Sequence, residues 1–181
     1  EIMAQHGVDP ARLYVAGLSA GGAMAAILGD VYPELYAAVG VHSGLATGAA
    51  TDLPSALGAM SGALSTAPRT ASSGVPTIVF HGDADGTVHP GNGARVIAAS
   101  VPPGTTVEIE QGVAPGGRSY TRQLHQPAGG APALAEHWIV HTAPHAWSGG
   151  SPGGSYTDPG GPDASAEMVR FFFAHPRPAA T

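Results

Sequence analysis

A serine set between small residues is the first feature of this sequence that could do chemistry. Residues 17–21 have the pattern G-x-S-x-G, between a short run of β-forming residues at 12–17 and a small-residue helical stretch at 19–30. A strand–turn–helix setting of this kind holds the serine on a sharp, strained turn with its hydroxyl exposed. The pattern therefore predicts Ser19 as a nucleophile and the N–H of Ala20 as a donor to the reacting oxygen. The alternative is a glycine-rich turn with an incidental serine.

An acidic loop follows a second buried run. Residues 76–81 read as a buried strand, and the loop after it carries two carboxylates, Asp83 and Asp85. A carboxylate in this place could hold an imidazole in the tautomer that a general base needs. The residues alone leave both open as the acid, and the other carboxylate would then be a turn residue that accepts nearby N–H groups.

Position selects one base from the nine histidines of the chain. His145 follows the last predicted strand, at 136–141, in a loop of small residues, whereas its rivals His137 and His141 fall within that strand. The order serine, aspartate, histidine along the chain is one of the arrangements that build a nucleophilic triad. We also expect His42 and Trp147 to contact the substrate.

The elements that must position these residues alternate between strand and helix. Buried runs end just before each chemical cluster, and helical stretches lie between them, which predicts an α/β fold with a mostly parallel sheet and helices on both faces. Ligands bind at the carboxyl ends of the strands in such sheets. The length of 181 residues predicts a single domain over residues 1–181. The loop at 148–161 is rich in Gly, Pro and Ser, and Asp163 should cap a final helix.

Composition excludes several classes of protein. The net charge is −6, and the seven basic residues are scattered, so no stripe exists to bind a nucleic acid. There is no cysteine, hence no disulfide or zinc–thiolate site. No apolar stretch reaches the roughly 18 residues of a membrane span. No pair of histidines four apart falls on a predicted helix, so we expect neither a metal nor another cofactor.

Longer stretches of the chain resemble one esterase family. Residues 7–44, 75–92, 143–150 and 155–175 are similar to the poly(3-hydroxybutyrate) depolymerases and the related feruloyl and acetylxylan esterases. The resemblance implies an α/β-hydrolase fold and a serine esterase without cofactor. Its H-G-x-x-D-x-x-V form selects Asp85, which implies a triad of Ser19, Asp85 and His145. The implied substrate is a polyhydroxyalkanoate-type polyester or oligoester; the alternative is a feruloyl or acetyl ester of plant cell walls.

One departure from the family concerns what precedes the serine. Family members have several strands and a second oxyanion donor before it, whereas Ser19 here follows only 18 residues. We therefore expect a partial domain, either a fragment or a minimal form, with an uncovered sheet edge beside the strand at 12–17 that favours homo-oligomers. A non-catalytic, hydrolase-like binding module is the alternative from another class. The resemblance favours an extracellular or periplasmic location.

Overall fold

The computed structural model describes residues 2–63, 73–127, 129 and 132–177. Its centre is a six-stranded sheet in the order β1-β2-β3-β6-β5-β4. The strands are β1 (Tyr14–Leu18), β2 (Ala38–His42), β3 (Thr77–Gly82), β4 (Thr106–Val113), β5 (Ser119–Gln126) and β6 (Ala135–Val140). Strands β1, β2, β3 and β6 are parallel, and β5 and β4 join antiparallel at one side.

Five α-helices surround this sheet within the described residues. They are α1 (Ile2–His6), α2 (Ala20–Val31), α3 (Leu53–Met60), α4 (Gly91–Ser100) and α5 (Ala164–Ala174). The side chain of Asp163 caps α5 by accepting the N–H of Ala166 at 3.0 Å, as predicted. Among the described residues, no helix is long and apolar enough to cross a membrane.

Two apolar layers lie on opposite faces of the sheet. Because side chains alternate along a strand, Ile78 and Phe80 of β3 pack against α5, while Val79 packs against α2 and α4. The α5 layer includes Met168, Phe171 and Phe172. The predicted parallel sheet with helices on both faces is therefore confirmed.

Three details of the elements were not predicted. The larger side chains of α2 do not enter the core, because small residues bring the helix against the sheet instead: Gly22, Ala25 and Gly29 are buried, and Met24 and Val31 are about half exposed. The loop at 148–161 is not wholly irregular, because Trp147–Ser148 (β7) pairs with Thr157–Asp158 (β8). The last large strand ends at Val140, so His141 lies in the following turn.

The sheet order places two strands at its ends. Among the described residues, β1 pairs with β2 alone and β4 pairs with β5 alone. The β4–β5 hairpin thus forms one side of the sheet. The four parallel strands are neighbours in the sheet and point the same way. The residues that follow β1, β2, β3 and β6 therefore meet at one edge of the sheet.

Candidate active site

Ser19 lies in the turn between β1 and α2 and has the strained backbone that the pattern predicts. Its φ is 59° and its ψ is −118°, a conformation that non-glycine residues rarely adopt. The N–H of Ser19 donates to the carbonyl of His42 at 2.9 Å, which holds the turn against the end of β2. Ala20 opens α2, where the first N–H groups have no acceptor within the helix. That N–H can therefore stabilise an anion beside Ser19.

Gly17 makes this turn geometrically feasible. A Cβ at Gly17 would lie 2.3 Å from the backbone carbon of Gly21, closer than any side chain can approach. A Cβ at Gly21 itself would meet nothing within 4 Å. Close approach of strand and helix thus requires glycine at position 17 but not at position 21, where only the backbone is in contact.

Asp85 follows β3 and is held by four groups. Its Oδ1 accepts the N–H groups of Thr87 and Val88 at 2.9 and 2.8 Å, and its Oδ2 lies 2.7 Å from His145 Nδ1 and 3.5 Å from His81 Nε2. Burial by itself would raise the pKa of this carboxyl, but the hydrogen bonds from His81, Val88, His145 and Thr87 outweigh burial and lower the pKa below its usual range. Asp85 is therefore an ionised, buried acceptor.

This carboxylate fixes the tautomer of His145. An ionised carboxylate can only accept, so His145 carries a proton on Nδ1 and donates it to Asp85. The lone pair of His145 Nε2 is then free, which is the form that a general base needs. The side chain of Asp85 is fully buried and that of His145 is 14% exposed, so the pair sits at the edge of the solvent.

The two rival residues form a second pair beside the first. Asp83 Oδ2 lies 2.8 Å from His141 Nδ1, and Asp83 Oδ1 accepts the N–H of Thr142. His141 Nε2 in turn lies 3.0 Å from Thr121 Oγ1, so neither of its nitrogens is free. The side chains of Asp83 and His141 are 40% and 36% exposed, respectively. Asp83 thus accepts a backbone N–H at a turn, one of the two roles that the sequence left open.

The three predicted triad residues follow three parallel strands at the same sheet edge. Ser19 comes directly after β1, Asp85 follows β3 and His145 follows β6. Within the described residues, no hydrogen bond joins Ser19 Oγ to the His145 ring. Such contacts are often long in free enzymes and tighten only with substrate. Proton transfer between these two side chains therefore stays a prediction.

The two residues expected to contact the substrate, His42 and Trp147, differ in exposure. His42 is 1% exposed, and its ring nitrogens face the hydroxyl of Ser43 at 3.2 Å and the N–H of Ser148 at 2.9 Å. The expected contact of His42 with substrate is therefore wrong, because the ring is enclosed. Trp147 stacks on His42 and donates its Nε1–H to Ser165 at 3.1 Å. Its ring stays partly exposed, so its substrate contact remains a prediction.

An apolar cavity opens beside the serine. Its volume is about 370 Å³, and Ser19 and Ala20 form one wall. Among the described residues that line it, Ser19 alone has a polar side chain, and the larger apolar ones are Met24, Ile27, Leu45, Met60 and Val88. Met24 and Ile27 of α2 thus face this cavity, not the core. The arrangement can hold an aliphatic group next to the serine hydroxyl.

Within the part of the chain that the structure describes, no group of three or more histidine or carboxylate side chains is placed to hold a metal ion.

Comparison with solved structures identifies the fold. The fold resembles an acetyl xylan esterase from Aspergillus awamori, with a TM-score of 0.62, 18% identity and coverage of 95% of this chain and 63% of that one. It also resembles a PHB depolymerase from Penicillium funiculosum, with a TM-score of 0.58, 18% identity and coverage of 96% and 55%. A PHB depolymerase complexed with an R3HB trimer matches with a TM-score of 0.56, 15% identity and coverage of 91% and 52%. The fold is therefore that of the α/β-hydrolase esterases.

The sequence comparisons narrow the class to a family. The family described as esterase PHB depolymerase matches residues 1–102, more than half of the chain. This chain belongs to that family. A stretch of 39 residues is 44% identical to a poly(3-hydroxybutyrate) depolymerase of Ralstonia pickettii, which is 22% of this chain and 8% of that protein. The chain spans between about half and two thirds of the length of the solved structures it matches.

Proposed function

We propose that this chain is the catalytic part of a serine esterase that hydrolyses aliphatic carboxylic esters of the polyhydroxyalkanoate type, polymeric or oligomeric. The observation that carries the proposal is the buried hydrogen bond of 2.7 Å between Asp85 and His145, at the sheet edge where the strained Ser19 lies. Family membership supports ester hydrolysis independently of this geometry.

The proposed reaction proceeds in two halves. His145 Nε2 takes the proton of Ser19 Oγ as that oxygen attacks the ester carbonyl, and the N–H of Ala20 stabilises the oxyanion. Asp85 holds His145 in place and balances its charge. His145 then protonates the leaving alcohol, and water, activated by the same imidazole, releases the acid from Ser19. No cofactor takes part.

The cavity beside Ser19 supports an aliphatic substrate over an aromatic one. Apart from Ser19, its described lining consists of alanine, glycine and larger aliphatic side chains, with no aromatic ring for a feruloyl group to stack on. A chain of short hydroxyalkanoate units presents small aliphatic side groups that such a cavity can enclose. If the substrate is polymeric, we expect the enzyme to act outside the cytoplasm. Activity confined to the cytoplasmic fraction of cells would contradict that location.

The serine provides the first experiment. We expect the chain to release p-nitrophenol from p-nitrophenyl butyrate and to cleave an oligomer of 3-hydroxybutyrate, and Ser19→Ala to lower both rates by about 10³-fold or more. Methyl ferulate, assayed beside them, should be the poorest substrate. Equal background rates for the two proteins would contradict an esterase and favour a non-catalytic binding module.

The cavity provides the second experiment. Ile27→Trp fills it from α2, so we expect kcat/KM for p-nitrophenyl octanoate to fall about tenfold more than for the acetate. Val31→Trp is the matched control, because Val31 lies about one turn further along the same helix, is 51% exposed and is not among the described lining residues. The same change of chain-length preference in both variants would rule out the cavity as the acyl site.

A further inference from the structure

His42 contacts both halves of the candidate site. Its carbonyl accepts the N–H of Ser19 at 2.9 Å, and its Nε2 accepts the N–H of Ser148 at 2.9 Å. Ser148 is the third residue after His145, in the loop of residues 145–149 that carries the base (the histidine loop). One residue at the end of β2 thus holds the nucleophile turn through its backbone and the histidine loop through its side chain.

The ring of His42 is fixed on every side. It stacks between Phe80 and Trp147, with ring centroids 5.8 and 5.2 Å away, and is 1% exposed. Because Nε2 accepts an N–H, the proton must be on Nδ1, from which it is donated to Ser43 Oγ. Burial, followed by the neighbouring His81 and His145, lowers the pKa of His42 to about 3, so the ring is neutral at the pH of hydrolysis.

Other contacts hold the histidine loop to a different part of the molecule. The N–H groups of Trp147 and Gly149 donate to residues 156 and 158, and Ser148 Oγ donates to Pro162. The N–H of Ala146 donates within the loop, to Pro144. Among the described residues, the N–H of Ser148 is therefore the one backbone group of residues 146–149 that bonds to the central sheet, and its acceptor is the ring of His42.

We propose that His42 is a positioning residue: its neutral imidazole, acting as a hydrogen-bond acceptor, sets the distance and orientation of His145 relative to Ser19. This inference rests on the proposed function. A hydrophobic side chain in its place would leave the Ser148 N–H buried without an acceptor, and the loop would move to satisfy it. A displacement of about 1 Å at a catalytic base can cost about 100-fold in rate.

The experiment compares two substitutions of similar size. His42→Leu removes the acceptor, and we expect kcat for p-nitrophenyl butyrate to fall about 100-fold while KM stays within about threefold. His42→Gln places an amide oxygen where Nε2 was, and we expect it to recover most of the lost kcat, to within about fivefold of the parent. An unchanged kcat in His42→Leu, or equal losses in both variants, would overturn the proposal.

A control separates positioning from general loss of stability. His137→Leu removes another buried, neutral imidazole, on β6, that bonds to neither Ser19 nor the histidine loop. We expect kcat to be unchanged in His137→Leu, whatever its shift in melting temperature; a loss of kcat equal to that of His42→Leu would show that removal of a buried imidazole by itself explains the effect. Absence of Ser19-dependent hydrolysis in the parent chain would instead refute the proposed function itself.

The tautomer of His42 can be measured without catalysis. In ¹⁵N-histidine spectra of Ser19→Ala, we expect one imidazole with a protonated Nδ1 and an accepting Nε2 that does not titrate down to about pH 5. Its resonances should be lost in His42→Leu. A His42 ring that titrates near the ordinary histidine pKa would contradict the neutral acceptor.

Discussion

At the scale of single residues, two aspartate–histidine pairs lie side by side and differ in burial. Asp85–His145 is nearly enclosed, whereas Asp83–His141 is more than one third exposed on both sides. A buried carboxylate interacts more strongly with its partner because little water screens the charge. The enclosed pair is thus the better candidate for holding a catalytic imidazole, and the exposed pair joins the same two loops at the surface.

The two aspartates allow a matched test of the acid. Asp85→Asn would allow His145 to adopt the wrong tautomer, so we expect kcat to fall by about 10³- to 10⁴-fold with the fold retained. Asp83→Asn makes the same chemical change two residues away and should lower kcat less than about tenfold, since exposed pairs contribute little. Hydrolysis of p-nitrophenyl butyrate with a circular dichroism check measures both. Comparable losses in the two variants would argue against Asp85 as the acid.

At the scale of elements, close packing of α2 against the sheet determines where the serine sits. The helix approaches β1 and β2 through glycine and alanine, and its larger side chains are left for the cavity and the solvent. This reverses the usual arrangement in which the largest apolar side chains of a helix enter the core. The close approach brings the N-terminus of α2 to the end of β1, where the turn can form.

Gly17 and Gly21 test this packing as a pair. Gly17→Ala would place a methyl group inside the backbone of α2, so we expect a loss of about 3 kcal/mol in the free energy of unfolding. Gly21→Ala meets open space in the first turn of a helix and should change stability by less than about 1 kcal/mol, in the stabilising direction. Urea denaturation measures both values. If Gly17→Ala were tolerated as well as Gly21→Ala, the turn would be able to open without loss of stability.

At the scale of the whole molecule, buried neutral histidines tie stability to pH. Burial lowers the pKa of His42 to about 3 and that of His137 to about 4, with smaller contributions from neighbouring histidines. In the unfolded chain both would titrate near 6.5. Below that pH the unfolded state binds more protons than the folded state, so stability is complete above about pH 6.5 and falls as the pH drops toward the folded pKa values.

Acid titration of stability checks this linkage. Between about pH 7.5 and about pH 5, we expect each of the two histidines to cost about 2 kcal/mol in the free energy of unfolding. Most carboxylates titrate lower, so this window isolates the histidines. His137→Leu should remove about half of the pH dependence while His125→Leu, at a half-buried site on β5, should remove less. Stability that stays flat across this range would contradict neutral burial of the two rings.

The open ends of the sheet also belong to this scale. Among the described residues, β1 and β4 each have one unpaired side, and β4 exposes Val107, Ile109 and Val113. Unpaired strands of this kind favour association. The homo-oligomer expected from the sequence stays a prediction.

Sequence by itself determined most of the elements and the place of Ser19 in a turn between a strand and a helix. Glycine spacing around Ser19, the apolar runs and the cap at Asp163 are local signals, and local signals specify strands, turns and helix ends. For the same reason the order of chemical groups along the chain was enough to place them at one edge of a parallel sheet. A resemblance to one family then selected Asp85 over Asp83.

Only the tertiary structure decided which groups meet. Position along the chain selected His145 over His141, but it did not show which aspartate each histidine contacts; burial and strand register do. The enclosure of His42 was likewise not predicted, because it depends on what packs against this residue from distant parts of the chain. Contacts between residues far apart in sequence leave no periodic trace, and this is the physical reason that they had to be observed.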